Sequence, residues 1–270
     1  MENFESNTII GNIDGLMRRL KIDFGSDELS AWAVSCNADG KELEDLRDLL
    51  ERIYTKGYMK RRSMISDLSG IPQEDRKTFD NYDFSCTTQQ NKDAVMAVRT
   101  LSFLNNGYNV VITGNTGTGK THIAQAIGNE CIDHLVRTSF MTLSSLKARI
   151  ARASRNGKVG SLVSTLSSIP CLIIDEIDKC TLEMDECAVL FDIVNRKYSS
   201  RGLGSIVMTS NSQPSAWTGV FKDGNLAECI LDRLFDRSYC FDFKGPSFRG
   251  KHKVATQVNF ASTPILPMVK

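Results

Sequence analysis

The chain carries almost no net charge: 33 Lys and Arg against 32 Asp and Glu, a formal +1. A surface that is basic all round, as in many general nucleic-acid binders, is therefore excluded. Histidine is scarce, with three in 270 residues, and none of the eight cysteines stands in a C-x-x-C pair. Zinc-ligand spacing is absent. No run approaches the roughly 18 apolar residues of a membrane span. The start, Met1-Glu2-Asn3-Phe4-Glu5, is acidic and lacks a basic segment leading into an apolar one, so no secretory signal is visible. These absences predict a cytoplasmic protein with no membrane partner and with reduced thiols, Cys171 and Cys240 lying in buried strands. One local absence is more pointed. From Thr138 to Pro170 there is no acid, while Lys147, Arg149, Arg152, Arg155 and Lys158 fall within twelve positions.

What is present begins with Gly114-Asn115-Thr116-Gly117-Thr118-Gly119-Lys120-Thr121, which fits the phosphate-loop pattern G-x-x-x-x-G-K-[ST] at every fixed position. Val110-Val111-Ile112 leads in as a strand, and a helical pattern from His122 to about Ile132 follows. In that context the glycines let backbone N–H groups close around phosphate oxygens, and the helix turns its positive end to the same anion. Lys120 would reach the β- and γ-phosphates of ATP, and the Thr121 hydroxyl would hold Mg2+.

Three regions follow from composition and periodicity. Residues 1–75 read as a small helical domain running into a linker. Helices are predicted over Ile9–Leu20, Ser26–Cys36 and Lys41–Arg62, the last with Leu43, Leu46, Leu50, Ile53 and Tyr54 at helical spacing. It closes on Lys60-Arg61-Arg62, which is read equally as a solvated helix end or a contact to the DNA backbone. Residues 63–90 are expected to be a linker, since Gly70-Ile71-Pro72 breaks any helix; Phe79, Tyr82 and Phe84 then suggest an extended segment packed on the next domain. From about residue 91, helical patterns alternate with apolar strands at Asn109–Thr113, Thr138–Leu143, Cys171–Asp175, Ser205–Ser210 and Tyr239–Phe243. Five such strands predict a parallel sheet covered on both faces, an α/β fold of three layers.

Cys171-Leu172-Ile173-Ile174-Asp175-Glu176 ends a buried strand on two acids, 55 residues after Lys120. At the C-terminal edge of a parallel sheet, Asp175 would position magnesium and Glu176 would activate the attacking water. Ser205–Ser210 delivers Asn211 to the same edge, where its amide would bond that water or the γ-phosphate. Arg233, in Leu231-Asp232-Arg233-Leu234, is ordinarily a surface ion-pair partner; in an oligomer it would reach a neighbour's γ-phosphate. After the second strand, Leu143, Leu146 and Ile150 share one helix face, with Arg149, Arg152 and Arg155 on the adjoining one. That face suits DNA phosphates or plain solvent.

Gly114–Thr121, Ile173–Glu176, Thr209–Asn211 and Arg233 stand in the order of AAA+ ATPases. The chain resembles most closely the clade of DnaC-type helicase loaders and IstB-like helper ATPases of insertion-sequence transposition. Lys77–Phe84 is similar to the family's lead-in segment, Gly114 to His122 to its phosphate loop, and Ile206–Asn211 with Trp217, Leu226-Ala227 and Ile230–Leu234 to its later core. Lys244-Gly245-Pro246-Ser247-Phe248-Arg249 resembles the terminal Gly-x-Ser-Tyr-Arg motif, departing at Pro246 and Phe248. The likeness covers roughly residues 76–253 and leaves 254–270 as a tail. It implies a P-loop AAA+ core on a helical N-terminal domain, with too few residues after Phe243 for a full C-terminal lid. It also implies an ATPase stimulated by DNA and by assembly into a ring or helical filament. Duplex is preferred to single-stranded DNA, and the partner is a transposase or, alternatively, a replicative helicase. Arg233 would be the trans-acting finger, Arg249 a sensor near the γ-phosphate, and the basic helix with Lys147, Arg149, Arg152, Arg155 and Lys158 a grip on DNA.

Overall fold

The computed structural model describes residues 2–200, 204–244 and 247. Helices α1 (Glu2–Leu20), α2 (Ser26–Ser35) and α3 (Gly40–Ser69) come first, then α4 (Gln89–Arg99) and a single turn, α5 (Ser102–Asn105). The strands are β1 (Asn109–Gly114), β2 (Thr138–Thr142), β3 (Cys171–Asp175), β4 (Ser205–Thr209) and β5 (Ser238–Phe243). Between them run α6 (Lys120–Asp133), α7 (Leu143–Arg155), α8 (Val159–Ser167), α9 (Met184–Ser199) and α10 (Gly224–Asp236). Every predicted strand is present to within one residue at each end.

All strand pairs are parallel, in the order β2-β3-β4-β1-β5. Strand side chains alternate between two apolar cores, as the pleat requires. Val111, Leu172, Ile174, Ile206 and Met208 face the side covered by α7 to α10. Val110, Ile112, Cys171, Ile173 and Val207 face the side where α4 and α6 pack. The order sets the C-terminal ends of β1, β3 and β4 side by side. The chain winds to opposite sides of β1, so the crevice at its end is where an open α/β sheet binds ligands.

The N-terminal helices build a separate core from Ile13, Met17, Leu29, Ala33, Leu43 and Leu50. Helix α3 starts on a reciprocal cap. Asp39 accepts from the Glu42 N–H (2.8 Å), and Glu42 accepts from the Asp39 N–H (3.0 Å). The helix expected to stop at Arg62 continues to Ser69, so the linker is shorter than predicted. Nothing in residues 63–69 interrupts a helix; the stop comes from Gly70, left-handed at φ 74°, with Pro72 close behind. The C-terminal part of α3 lies against α6 and β2. There the Tyr58 hydroxyl donates to the Asp133 carbonyl (2.8 Å), and the Asp133 carboxylate takes Arg62 (2.7 Å) and Arg76 (2.6 Å). Lys60-Arg61-Arg62 is therefore not a helix end. Arg62 is bound to the α/β core, and Lys60 and Arg61 stay exposed.

Although partial burial opposes its charge, the two guanidiniums hold the Asp133 carboxyl below its ordinary range. The folded-state pKa is depressed, so this contribution is present above the unfolded value near 4 and is lost as pH falls through the folded one. Asp133→Ala should cost about 1 kcal/mol or less, because the site is more than a third exposed. Hydrogen exchange should loosen residues 58–69 and leave the bundle around Leu43 protected; equal loosening of both would refute the junction.

Candidate nucleotide site

Strand β1 ends at Gly114, and α6 begins six residues later at Lys120. Gly114, Gly117 and Gly119 hold φ of 136°, 84° and 89°. At Gly119 a side chain is also sterically forbidden, since a Cβ would sit 2.6 Å from the Tyr82 ring. Lys120 is only 6% exposed, and its ammonium donates to the carbonyls of Gly114 (2.8 Å) and Asn115 (2.7 Å). Thr118 ties the loop to the Asn115 carbonyl (2.8 Å). The α6 N-terminus and this cation together make a strong anion site.

The acids arrive from β3. Asp175 is 3% exposed, and the Thr121 hydroxyl lies 3.1 Å from both its oxygens. The Thr209 hydroxyl, from the end of β4, also donates to Asp175 and in turn accepts the Glu176 N–H (3.0 Å). Glu176 is left-handed, φ 53° and ψ 53°. For a residue with a Cβ this costs about 1–2 kcal/mol, and such strain persists only where surroundings impose it. The turn releases the chain from β3 into the short helix Ile177–Lys179. Asp178 on that turn accepts the Asn211 backbone N–H (3.2 Å) and side-chain amide (3.3 Å). Trp217, fully buried, donates its indole N–H to Ser210 Oγ (3.0 Å) and the Ser212 carbonyl (3.2 Å), which pins the loop carrying Asn211.

Lys120, Thr121, Glu176 and Asn211 line one cleft of about 410 Å³, together with Thr116, Gly117, Gly119 and His122. Sequence reasoning missed Lys77 and Lys179, which also line it, as well as Thr209 and Asp178. Asp178 had a signal in the spacing Asp175-Glu176-Ile177-Asp178. Thr209 had its place at a strand end and in the Thr209–Asn211 motif, neither of which pointed to a bond with Asp175. The lead-in segment forms a wall: the Tyr82 hydroxyl donates to the Thr118 carbonyl (3.1 Å), and His122 Nε2 meets the Thr78 carbonyl (2.9 Å). Burial pushes the His122 pKa down, favouring the neutral ring. The Thr121 hydroxyl and Asp175 carboxylate are hard oxygen donors of the kind that Mg2+ takes, one or two from protein and the rest from water and phosphate.

Other expected residues lie apart. Arg233 is on α10, at the edge where the strands begin. It donates to Asn195 Oδ1 (3.0 Å) and the Cys229 carbonyl (3.0 Å) and lies 4.9 Å from the Phe191 ring centre. It does not line this chain's own nucleotide cleft. Arg249 falls outside the described residues. The basic face divides. Lys147 bonds the Thr181 carbonyl (2.6 Å) and pairs with Glu186 (3.2 Å), because α9 brings an acid to it from a distant part of the chain. Arg149, Arg152 and Lys158 line an open groove along α7 and α8, while Arg155, exposed, is turned off it.

Among the described residues no helix is long and apolar enough to cross a membrane. The family profile described as IstB-like ATP binding protein matches residues 22–256. The putative ATP-binding protein of insertion sequence IS5376 from Geobacillus stearothermophilus is 32% identical over 210 residues, 78% of this chain and 82% of that one. The replicative helicase loader DnaC of Escherichia coli is 27% identical over 187 residues, 68% of this chain and 74% of that one. In fold, AMPPCP-bound DnaA from Aquifex aeolicus superposes with a TM-score of 0.54 at 20% identity, over 65% of this chain and 51% of DnaA. The five parallel strands, the phosphate loop at the end of β1 and the extent of the profile match agree: the chain has the AAA+ P-loop fold and is a member of the IstB-like ATP binding protein family.

Proposed function

We propose that the protein hydrolyses ATP with Mg2+, assembles on DNA and helps an insertion-sequence transposase select or remodel its target. The observation that carries this reading is the convergence of Lys120, the Thr121–Asp175 pair, Glu176 and Asn211 on one cleft. Lys120 leaves its two loop carbonyls to neutralise the β- and γ-phosphates. Bound by Thr121 and Asp175, magnesium would supply charge neutralisation between the same phosphates. The Glu176 carboxylate accepts a proton from the attacking water, and the Asn211 amide orients that water or the γ-phosphate. A hydrolytic water suits this pair of acids better than a substrate hydroxyl does. Arg233, remote from its own cleft, acts on a neighbouring copy in a ring or helical filament, and Arg249 acts as a sensor. Residues 1–75 serve as the partner domain and 76–253 as the ATPase.

DNA runs along Arg149, Arg152 and Lys158, and the exposed Arg155, Lys60 and Arg61 are further candidate phosphate contacts outside that groove. Contacts of this kind are to phosphates, and so tolerate any sequence. Duplex DNA and a transposase are preferred because proteins named as ATP-binding proteins of insertion sequences match at 32% and 34% identity. The relation to the DnaC loader supports a second reading, delivery of a replicative helicase. Pull-down of the transposase against the helicase separates the two.

Lys120→Ala should abolish ATP binding in calorimetry; retained micromolar affinity would remove the loop assignment. Glu176→Gln should keep binding, hold the oligomer on DNA and lower turnover by about 100-fold or more. Asp178→Ala should lower kcat roughly tenfold at unchanged KM by freeing Asn211, with Asp178→Asn recovering most of the loss; a KM change alone would refute that role. Arg149→Ala with Arg152→Ala should flatten the salt dependence of duplex binding by about 1.8 log units per decade, the share of two phosphate contacts. An unaltered slope would return these residues to plain solvent.

A further inference from the structure

Among the described residues three lysines line the nucleotide cleft: Lys77, Lys120 and Lys179. Two of them are committed. Lys120 donates to the Gly114 and Asn115 carbonyls, and Lys77 pairs with Asp75. Lys179 is exposed, and among the described residues its ammonium meets no acceptor and no carboxylate.

The turn that carries Lys179 explains where it stands. Ile177–Lys179 is a tight helical turn entered from the left-handed Glu176, and it closes on the bond from the Lys179 N–H to the Glu176 carbonyl (3.1 Å). In a turn closed this way, side chains three positions apart eclipse one another. Glu176 and Lys179 therefore share one side of the turn, and both line the cleft. Ile177 goes into the apolar core, and Asp178 goes to the Asn211 loop. The turn thus presents to the nucleotide one anion and one cation that do not pair with each other. The carboxylate is left to accept a proton and the ammonium to meet an anion. A triphosphate stays negative after Lys120 and one magnesium ion have met it, and Glu176 faces it with a like charge. A cation eclipsing Glu176 offsets that repulsion.

We propose that Lys179 is a further catalytic residue, a cation supplied to the γ-phosphoryl group by the same chain that binds the nucleotide; this rests on the ATPase reading above. The water oxygen bonds to the γ-phosphorus, and the bond from that phosphorus to the β–γ bridging oxygen breaks. Glu176 takes the water's proton, and ADP leaves with the electron pair. The Lys179 ammonium donates to a γ-phosphoryl oxygen throughout, neither gaining nor losing a proton, where negative charge is held in the transition state. Arg233 comes from a neighbouring copy, whereas Lys179 acts in a lone subunit as well.

Calorimetry on full chains carrying Glu176→Gln reads the contact without turnover. Adding Lys179→Met should lower ATP affinity roughly fivefold and leave ADP affinity unchanged. In chains with Glu176 intact, Lys179→Met should lower kcat at saturating ATP by about a further tenfold, and Lys179→Arg should recover most of both losses. Lys179 is exposed, so these variants keep the fold. Unchanged ATP affinity and kcat, or an equal loss of ATP and ADP affinity, overturns the proposal. The chain that supplies the lysine is read by mixing Lys179→Met chains with Lys120→Ala chains, and separately with chains carrying both Lys120→Ala and Lys179→Met. Equal turnover in the two mixtures is expected. A gain confined to the first would put Lys179 in a neighbour's cleft and overturn the assignment to its own. Turnover that survives Lys120→Ala alone removes the ATPase reading itself, whereas turnover lost with Lys120→Ala but kept with Lys179→Met removes only this inference.

Discussion

Asp175 is 3% exposed, and a carboxylate buried that deep is costly unless donors meet it. Two hydroxyls meet it, Thr121 from the first turn of α6 and Thr209 from the end of β4. The same Thr209 oxygen takes the Glu176 N–H. One buried carboxylate thus binds three pieces that are neighbours in the sheet into a fixed geometry: the phosphate loop, the acidic strand end and the polar strand end. The left-handed turn at Glu176 and the Asp178 hold on Asn211 follow from that constraint, since the chain must leave β3 sharply once Asp175 is held.

The same helix α6 carries the constraint outward. It begins with Lys120 in the phosphate loop and ends with Asp133, where Arg62, Arg76 and Tyr58 meet. Helix α3, 30 residues long, shares its first half with the N-terminal core and its last turns with this junction. A rigid helix fixed at both ends is a physical route between the N-terminal domain and the P-loop, and Asp133 is its fastening.

The two edges of the sheet carry opposite devices. At the C-terminal edge, helix N-termini, a lysine and a glycine loop converge on a cleft with Glu176 in its wall. At the other edge helices end, and Lys197, Arg233 and Arg237 line a pocket there. Parallel topology explains the division, since every βα crossover turns the same helix end to the same edge.

The strands, the phosphate loop, Asp175-Glu176 and Asn211 were legible in the residues because each is a local pattern. An apolar run of five reads as a buried strand, and a loop that must adopt positive φ shows its glycines. The family likeness was legible for the same reason, in the order of those local motifs. Only the tertiary structure decided which strand lies beside which. From that order came the roles of Thr209 and Asp178, the diversion of Lys147 to Glu186 and of Arg62 to Asp133, and the gathering of Lys197 with two arginines. Each of these joins residues at least 33 positions apart, and spacing along a chain carries no record of distance through space. The length of α3 lay between the two cases. Its stop was written at Gly70, but periodicity fades where an exposed helix turns to meet a second domain, and only packing on α6 and β2 revealed how far it runs.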